Sequence, residues 1–240
     1  MTTCFLYYFV HIVCTKYPLL FSRSIGRALY LHSALINVTI ARMNTSLTVI
    51  TGPMFSGKSE ELVRHLRRFA IAKVPAKVFN HALDIRYGKK KIISHSKESW
   101  DSIPIKTGAQ ILSEIAKNTK VVVIDEVQFF NNDIISVVAQ VLSRNINVIA
   151  ARLDTDFRGE PFGPMGPLLS MAETVIKLKA VCSVCREWNA TRTQRLLNSG
   201  EPAPYTDPLI KVGALDSYQA RCYEHHDVPE VPFNAVSYLR

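Results

Sequence analysis

Acidic residues are missing from the first 42 positions of this 240-residue chain, which carry Lys16, Arg23, Arg27 and Arg42 but no Asp or Glu. The absence localises the charge. Of the formal net charge of +9, this stretch supplies +4, and the remaining 25 basic and 20 acidic residues give +5. A remainder so mildly basic suits a protein that binds a polyphosphate and speaks against sequence-specific DNA or RNA binding. A membrane-spanning run is missing too. The apolar run CFLYYFVHIVC, Cys4 to Cys14, is broken by His11 and falls short of the roughly 20 residues that a spanning helix requires. No positively charged segment precedes it, so it makes a poor secretory signal, and the acid-free stretch to Arg42 could equally serve as an organelle transit peptide. We expect Met43 to be the start of the protein proper, with residues 1–42 an extension outside the fold.

Cysteine is scarce. Five in 240 residues are too few for a disulfide scaffold, and a reducing, cytoplasmic setting is expected. Internal repeats and low-complexity segments are absent as well. What remains is 48% hydrophobic and 20% charged, the composition of a globular protein with a sizeable buried core.

From Ser46 the chain reads SLTVITGPMFSGKSEELVRHLRRFAIAK, a β-branched run, a glycine-bounded turn and then a helical pattern. The turn Gly52, Pro53, Met54, Phe55, Ser56, Gly57, Lys58, Ser59 fits G-x-x-x-x-G-K-[ST], with the strand before and helix after that the motif demands. Its glycines let backbone N–H groups point at phosphate oxygens while the helix adds its positive end. Lys58 is placed to reach the β- and γ-phosphates, and the Ser59 hydroxyl suits Mg²⁺. Leu62, Val63, Leu66, Phe69 and Ala70 form an apolar helix face. Arg64, Arg67 and Arg68 fall mostly opposite, as a solvated face.

Residues Val121 to Val127, VVVIDEV, form a continuous β-branched run that ends in two acids. Such a run predicts a buried parallel strand with carboxylates at its C-terminal edge. That edge is expected beside the phosphate loop, with Asp125 on Mg²⁺ and Glu126 free to accept the proton of an attacking hydroxyl or water. A further run, NINVIAARLDTDF from Asn145, reads as another parallel strand ending in Asp154 and Asp156. The segments GAQILSEIAKN and NNDIISVVAQVLSRN carry helical spacing between the strands. The fold class predicted is α/β, a P-loop core with a parallel sheet flanked by helices.

Cys182-x-x-Cys185 is followed by Cys222-x-x-His225, three thiolates and an imidazole suited to tetrahedral Zn²⁺ with no open position, hence structural. His226 could replace His225, although the C-x-x-H spacing favours His225. Between the pairs lie β-like runs, NATRTQRLL and PLIKVG, as in a zinc ribbon. This divides the chain into an extension (1–42), a P-loop α/β domain (43–178) and a zinc-binding lobe (179–240).

With these motifs in order, the chain resembles the type II thymidine kinases. The resemblance runs from about Leu47 to His225 and rests on GPMFSGKSEEL (Gly52 to Leu62), LDIRY (Leu83 to Tyr87), DEVQFF (Asp125 to Phe130), LDTDFRGEPFGP (Leu153 to Pro164) and KVGALDSYQARC (Lys211 to Cys222). It implies transfer of the γ-phosphoryl of ATP to the 5′-hydroxyl of thymidine or deoxyuridine, with Glu126 as proton acceptor and Gln128 in the nucleotide-binding set. It also implies a lasso-like loop of the zinc lobe in which Leu209, Ile210, Lys211, Val212 and Gly213 read the pyrimidine edge, supported by Tyr218. Met54, Phe129, Leu153, Phe157 and Phe162 match positions around the nucleoside, and Arg86 and Arg158 could neutralise phosphate charge. A homotetramer is expected by the same analogy, with neither nucleic acid nor membrane as partner. Two departures stand out: Arg152 replaces a small residue before L-D-x-D-F, and Asn80-His81 replaces Lys-Pro before A-x-D-x-R-Y. Both are expected to stay clear of the catalytic set. The rival readings are another P-loop ATPase, which would not need the zinc lobe with its loop, and a zinc-ribbon nucleic-acid-binding module, which calls for a contiguous basic and aromatic surface that the sequence does not offer.

Overall fold

The computed structural model describes residues 45–83, 91–93, 99–210, 215–233 and 235. The extension 1–42 and the expected start at Met43 lie outside the described residues, as do Arg86, Lys211, Val212 and Gly213. The apolar runs become strands: β1 (Leu47–Thr51), β2 (Ala76–His81), β5 (Ile103–Ile105), β6 (Val121–Asp125), β7 (Asn147–Arg152) and β8 (Thr174–Lys177). They form one six-stranded sheet in the order β5-β2-β6-β7-β1-β8. Every pairing in it is parallel. Two short strands, β3 (Lys91–Ile93) and β4 (Ser99–Asp101), make a separate antiparallel ribbon.

Parallel strands need crossovers, and helices α1 (Lys58–Ile71), α2 (Ala109–Glu114), α3 (Asp133–Ser143) and α4 (Met165–Met171) fall among them. In α1 the side chains of Leu62, Val63 and Leu66 are buried while Arg67 and Arg68 are exposed, so the apolar stripe faces the sheet as its spacing predicts. Ala70 is an exception, exposed near the helix end. One face of the sheet packs Ile50, Val78, Val121, Val123 and Ile149 against Leu62 and Leu66. The other buries Leu47, Val49, Val122, Ile124 and Val148 with Ile134, Val138, Val141 and Leu168 from α3 and α4. All five residues of β6 are buried, which explains the continuous rather than alternating pattern of its sequence. No helix among the described residues is long and apolar enough to cross a membrane.

The strand carrying Asp125 does not neighbour the strand that leads into the phosphate loop, because β7 lies between them. The last residue of β7, Arg152, pairs with Thr51 of β1, and Ala151 pairs with Asp125 of β6. Whatever stands at position 152 therefore sits in the gap between the loop and the acids.

Beyond β8 the chain forms a small lobe around the antiparallel pair β9 (Arg192–Arg195) and β10 (Tyr218–Arg221). NATRTQRLL supplies β9, but PLIKVG does not supply its partner: the described part, Pro208 to Ile210, lies in no strand. The carbonyls of Pro208 and Leu209 accept hydrogen bonds from the Arg195 guanidinium. The strand that pairs is instead the one running straight into Cys222, so the hairpin delivers the second ligand pair to the first.

Candidate active site

The glycine-bounded turn folds as its sequence requires. Gly52 has φ 145°, and a Cβ there would come 2.5 Å from the carbonyl oxygen of Leu178, so a side chain is barred by both torsion and space. Gly57, at φ 81°, caps α1 and passes the chain into the helix. Lys58 is buried and its ammonium folds back over the turn, donating to the Pro53 carbonyl and lying 3.4 Å from Ser56 Oγ. The amide of Met54 donates to Thr193 Oγ1 at 3.0 Å, which ties the turn to β9 of the lobe. Phe55 is exposed at its tip.

Across the gap, Asp125 and Glu126 are both buried. Glu126 adopts a left-handed conformation, φ 54° and ψ 38°, a strain of about 1–3 kcal/mol for a residue with a side chain. The surroundings hold it there. Gln128 Nε2 donates to Glu126 Oε2 at 2.6 Å, Arg152 Nη2 pairs with Oε1, and the Glu126 amide donates to Asp125 Oδ1 at 3.0 Å. Gln128 thus orients the carboxylate. Its carbonyl in turn lies against Gly163, at φ 54°, where a Cβ would collide with it.

Arg152 overturns the expectation that it stays clear of the catalytic set. It is buried at 8% exposure, with Nη1 3.2 Å from Ser59 Oγ and 3.5 Å from Asp125 Oδ1, while Nη2 meets Glu126. Its place at the end of a buried parallel strand follows from the sheet order; a lone arginine closing an apolar strand at the carboxyl edge is the sequence signal for it. Ser59 and Asp125 are the oxygens expected to hold Mg²⁺, and both already share one guanidinium nitrogen. As they stand, these residues do not fit a divalent ion.

Aromatic side chains gather on the far side of the acids. Phe129 meets Phe162 edge-on at 5.9 Å and His81 at 6.0 Å, and His81 also packs edge-on against Phe130 at 4.6 Å. His81, the second departure, therefore touches a residue expected at the nucleoside. Burial pushes its pKa down, opposed by the backbone of Lys106, and its Nδ1 accepts from the Leu83 amide at 3.2 Å. Leu153 is half-buried beside Asp154, whose carboxylate pairs with Lys177 at 2.8 Å. Asp156 accepts the amides of Arg158 and Glu160, and burial raises its pKa.

Phe157 is buried under the guanidinium of Arg195, 4.1 Å from its ring centroid. Sequence reasoning missed Arg195, which nothing in TRTQRLL sets apart from its neighbours. Fully inside the lobe, it pairs with Asp207 at 3.1 Å, donates to the carbonyls of Pro208 and Leu209, and lies 2.6 Å from the Tyr218 hydroxyl. Leu209 and Ile210 present exposed side chains from the segment so held. Arg158 Nη2 donates to the Asp207 carbonyl at 3.0 Å, and its guanidinium lies 4.5 Å from the Tyr205 ring centroid.

In the lobe, Cys182, Cys185, Cys222 and His225 bring one ligand atom each within 4.8 Å of one another. Two of the separations, 4.0 Å for Cys185–Cys222 and 3.8 Å for Cys182 Sγ–His225 Nδ1, are close to the roughly 3.8 Å between thiolates bonded tetrahedrally at about 2.3 Å to Zn²⁺, while Cys222 Sγ and His225 Nδ1 stand closer, at 3.0 Å. Burial tends to raise the Cys182 thiol, but backbone donors from Cys222, Cys185 and Val184 prevail and bring it down to about 6, toward the ligating thiolate. His226 is not in the cluster; its Nε2 meets the Phe157 carbonyl at 2.9 Å and so ties the lobe to the core.

A turn that wraps a lysine at the end of a parallel strand, facing a strand that ends in acids, marks a P-loop nucleotide-binding α/β protein. Comparison with known families narrows this class: the thymidine kinase family profile matches residues 45–226. The chain belongs to the thymidine kinase family. Among solved structures it is similar to a Thermotoga maritima RuvB mutant, with 13% identity and a TM-score of 0.34, over 69% of this chain and 48% of that one. The chain thus spans about half the length of that structure.

Proposed function

We propose that this chain phosphorylates thymidine, and deoxyuridine as its close analogue, with ATP as donor, giving the 5′-monophosphate and ADP. The observation that carries the reading is Glu126: buried, held in a strained conformation by Gln128 and Arg152, and set across the gap from the phosphate turn. Gly52 to Ser59 take the triphosphate, with Lys58 drawn from the Pro53 carbonyl to the β- and γ-phosphates. Glu126 accepts the proton of the 5′-hydroxyl as that oxygen bonds to the γ-phosphorus. The bond to the β–γ bridging oxygen breaks, and ADP leaves with the electron pair.

Phe129, Phe162 and Leu153 enclose the base, and the segment from Leu209 to Gly213 reads its pyrimidine edge. Phe157 and Tyr218 act through Arg195, which braces that segment. Zn²⁺, held by Cys182, Cys185, Cys222 and His225, supplies folding energy to the lobe and no chemistry. The enzyme works as a homotetramer in the cytoplasm. Chromatography of a reaction holding ATP, Mg²⁺ and thymidine tests the reading: thymidine monophosphate and ADP are expected in equal amounts, whereas ADP formed with thymidine untouched would identify an ATPase instead.

A further inference from the structure

The Arg152 guanidinium lies buried among the oxygens of the candidate site. It is buried at 8% exposure, and a single nitrogen, Nη1, lies 3.2 Å from Ser59 Oγ and 3.5 Å from Asp125 Oδ1. The second nitrogen pairs with Glu126. These are the oxygens to which a P-loop protein delivers a divalent cation, and here they are already bridged by a positive group. Mg²⁺ binds oxygen at about 2.1 Å, so an ion on either Ser59 or Asp125 would lie within roughly 6 Å of Nη1. Such an ion would have to displace the guanidinium from Ser59 Oγ and Asp125 Oδ1 and would lie close to a like charge. Register sets its backbone between the two: Arg152 pairs with Thr51, the residue before the turn, and the adjacent Ala151 pairs with Asp125.

We propose that Arg152 is a resident cation that takes the place of the divalent ion, so that this chain binds nucleotide triphosphate without needing a metal. The inference rests on the reading of Gly52 to Ser59 as the nucleotide site. A guanidinium suits the role chemically: it is always charged, it presents paired N–H donors that match phosphate oxygens, and it is less strongly hydrated than an ammonium. Its carboxylate partners keep it at the gap while leaving donors to turn toward an incoming phosphate.

The test is calorimetric titration of the full chain with the non-hydrolysable β,γ-imido analogue of ATP, once with excess Mg²⁺ and once with excess EDTA. For the native chain the two affinities are expected to agree within about threefold, and for Arg152→Gly, Mg²⁺ is expected to strengthen binding at least about tenfold. Electron paramagnetic resonance of Mn²⁺ gives a readout independent of nucleotide: the variant should acquire a tight site that the native chain lacks. A tenfold Mg²⁺ dependence in the native chain overturns the proposal, as does a variant whose ratio and Mn²⁺ binding match the native ones. The native ratio decides alone should Arg152→Gly fail to fold, which zinc content and thermal melting would reveal. Failure to bind the analogue under either condition overturns this inference and the nucleotide reading together, while binding without thymidine phosphorylation removes only the proposed reaction.

Discussion

Between Leu47 and Lys177 the residues that fix the geometry are apolar and fully buried, Ile50, Leu62, Leu66, Ile124 and Val138 among them. Between Ala180 and Val228 the buried cluster holds three alanines and two cysteines. A fully buried leucine or isoleucine contributes about 1.5–3 kcal/mol, so the sheet is secured many times over. The lobe has no such reserve and gathers directional groups instead: four candidate ligand atoms at one end and the Arg195 hub at the other. Function divides along the same line. The stiff region carries the phosphate turn and the acids, and the region built on polar bonds presents the segment expected to read the substrate.

Removing the metal breaks this comparison hardest. Cys182→Ser should release zinc and cost several kcal/mol, and it should melt the lobe first, because ligand bonds replace a core there. Matched zinc analysis and thermal denaturation check this; unchanged zinc content would remove Cys182 from the ligand set. In the sheet, Leu66→Ala should cost about 2–5 kcal/mol by opening a cavity while leaving zinc content unchanged, as measured by urea denaturation and metal analysis.

Arg195→Met, which keeps bulk but leaves the carbonyls of Pro208 and Leu209 without their donor, should cost about 1–3 kcal/mol. Its sharper mark is on substrate: KM for thymidine should rise more than kcat falls, since the loop is loosened and the acids are untouched. The smallest effect is a pH dependence from His81, whose pKa burial has pushed below its ordinary 6.5. The unfolded chain takes up the proton first as pH falls, so this contribution to stability is present above pH 6.5 and is lost progressively below it. Melting temperatures of the native chain should therefore fall below that pH more steeply than those of His81→Asn.

The same contrast explains what was legible in the sequence. Strands β1, β6 and β7 and helix α1 could be read from apolar periodicity, because burial writes itself into residue type. The phosphate turn and the Cys/His spacing were legible because local geometry fixes both. Sheet order was not: nothing local in VVVIDEV says that β7 intervenes between it and β1, and hence Arg152 was visible as a departure but not as a neighbour of Glu126. Arg195 was invisible for a related reason. Its partners, Asp207, Leu209 and Tyr218, are gathered by the lobe's fold and lie 12, 14 and 23 positions away. The segment PLIKVG looked like a strand because β-branched residues favour strands, yet its described carbonyls are bound by a side chain rather than a ladder.

The proposed reaction requires Glu126 to take the proton of a nucleoside hydroxyl. Transfer of label from γ-labelled ATP to thymidine, followed in the native chain and in Glu126→Gln, measures this most directly. Labelled thymidine monophosphate should form with the native chain and fall by about 10²–10⁴-fold in the variant, with ATP affinity preserved. Label appearing only as inorganic phosphate, or a variant that turns over like the native chain, would contradict it.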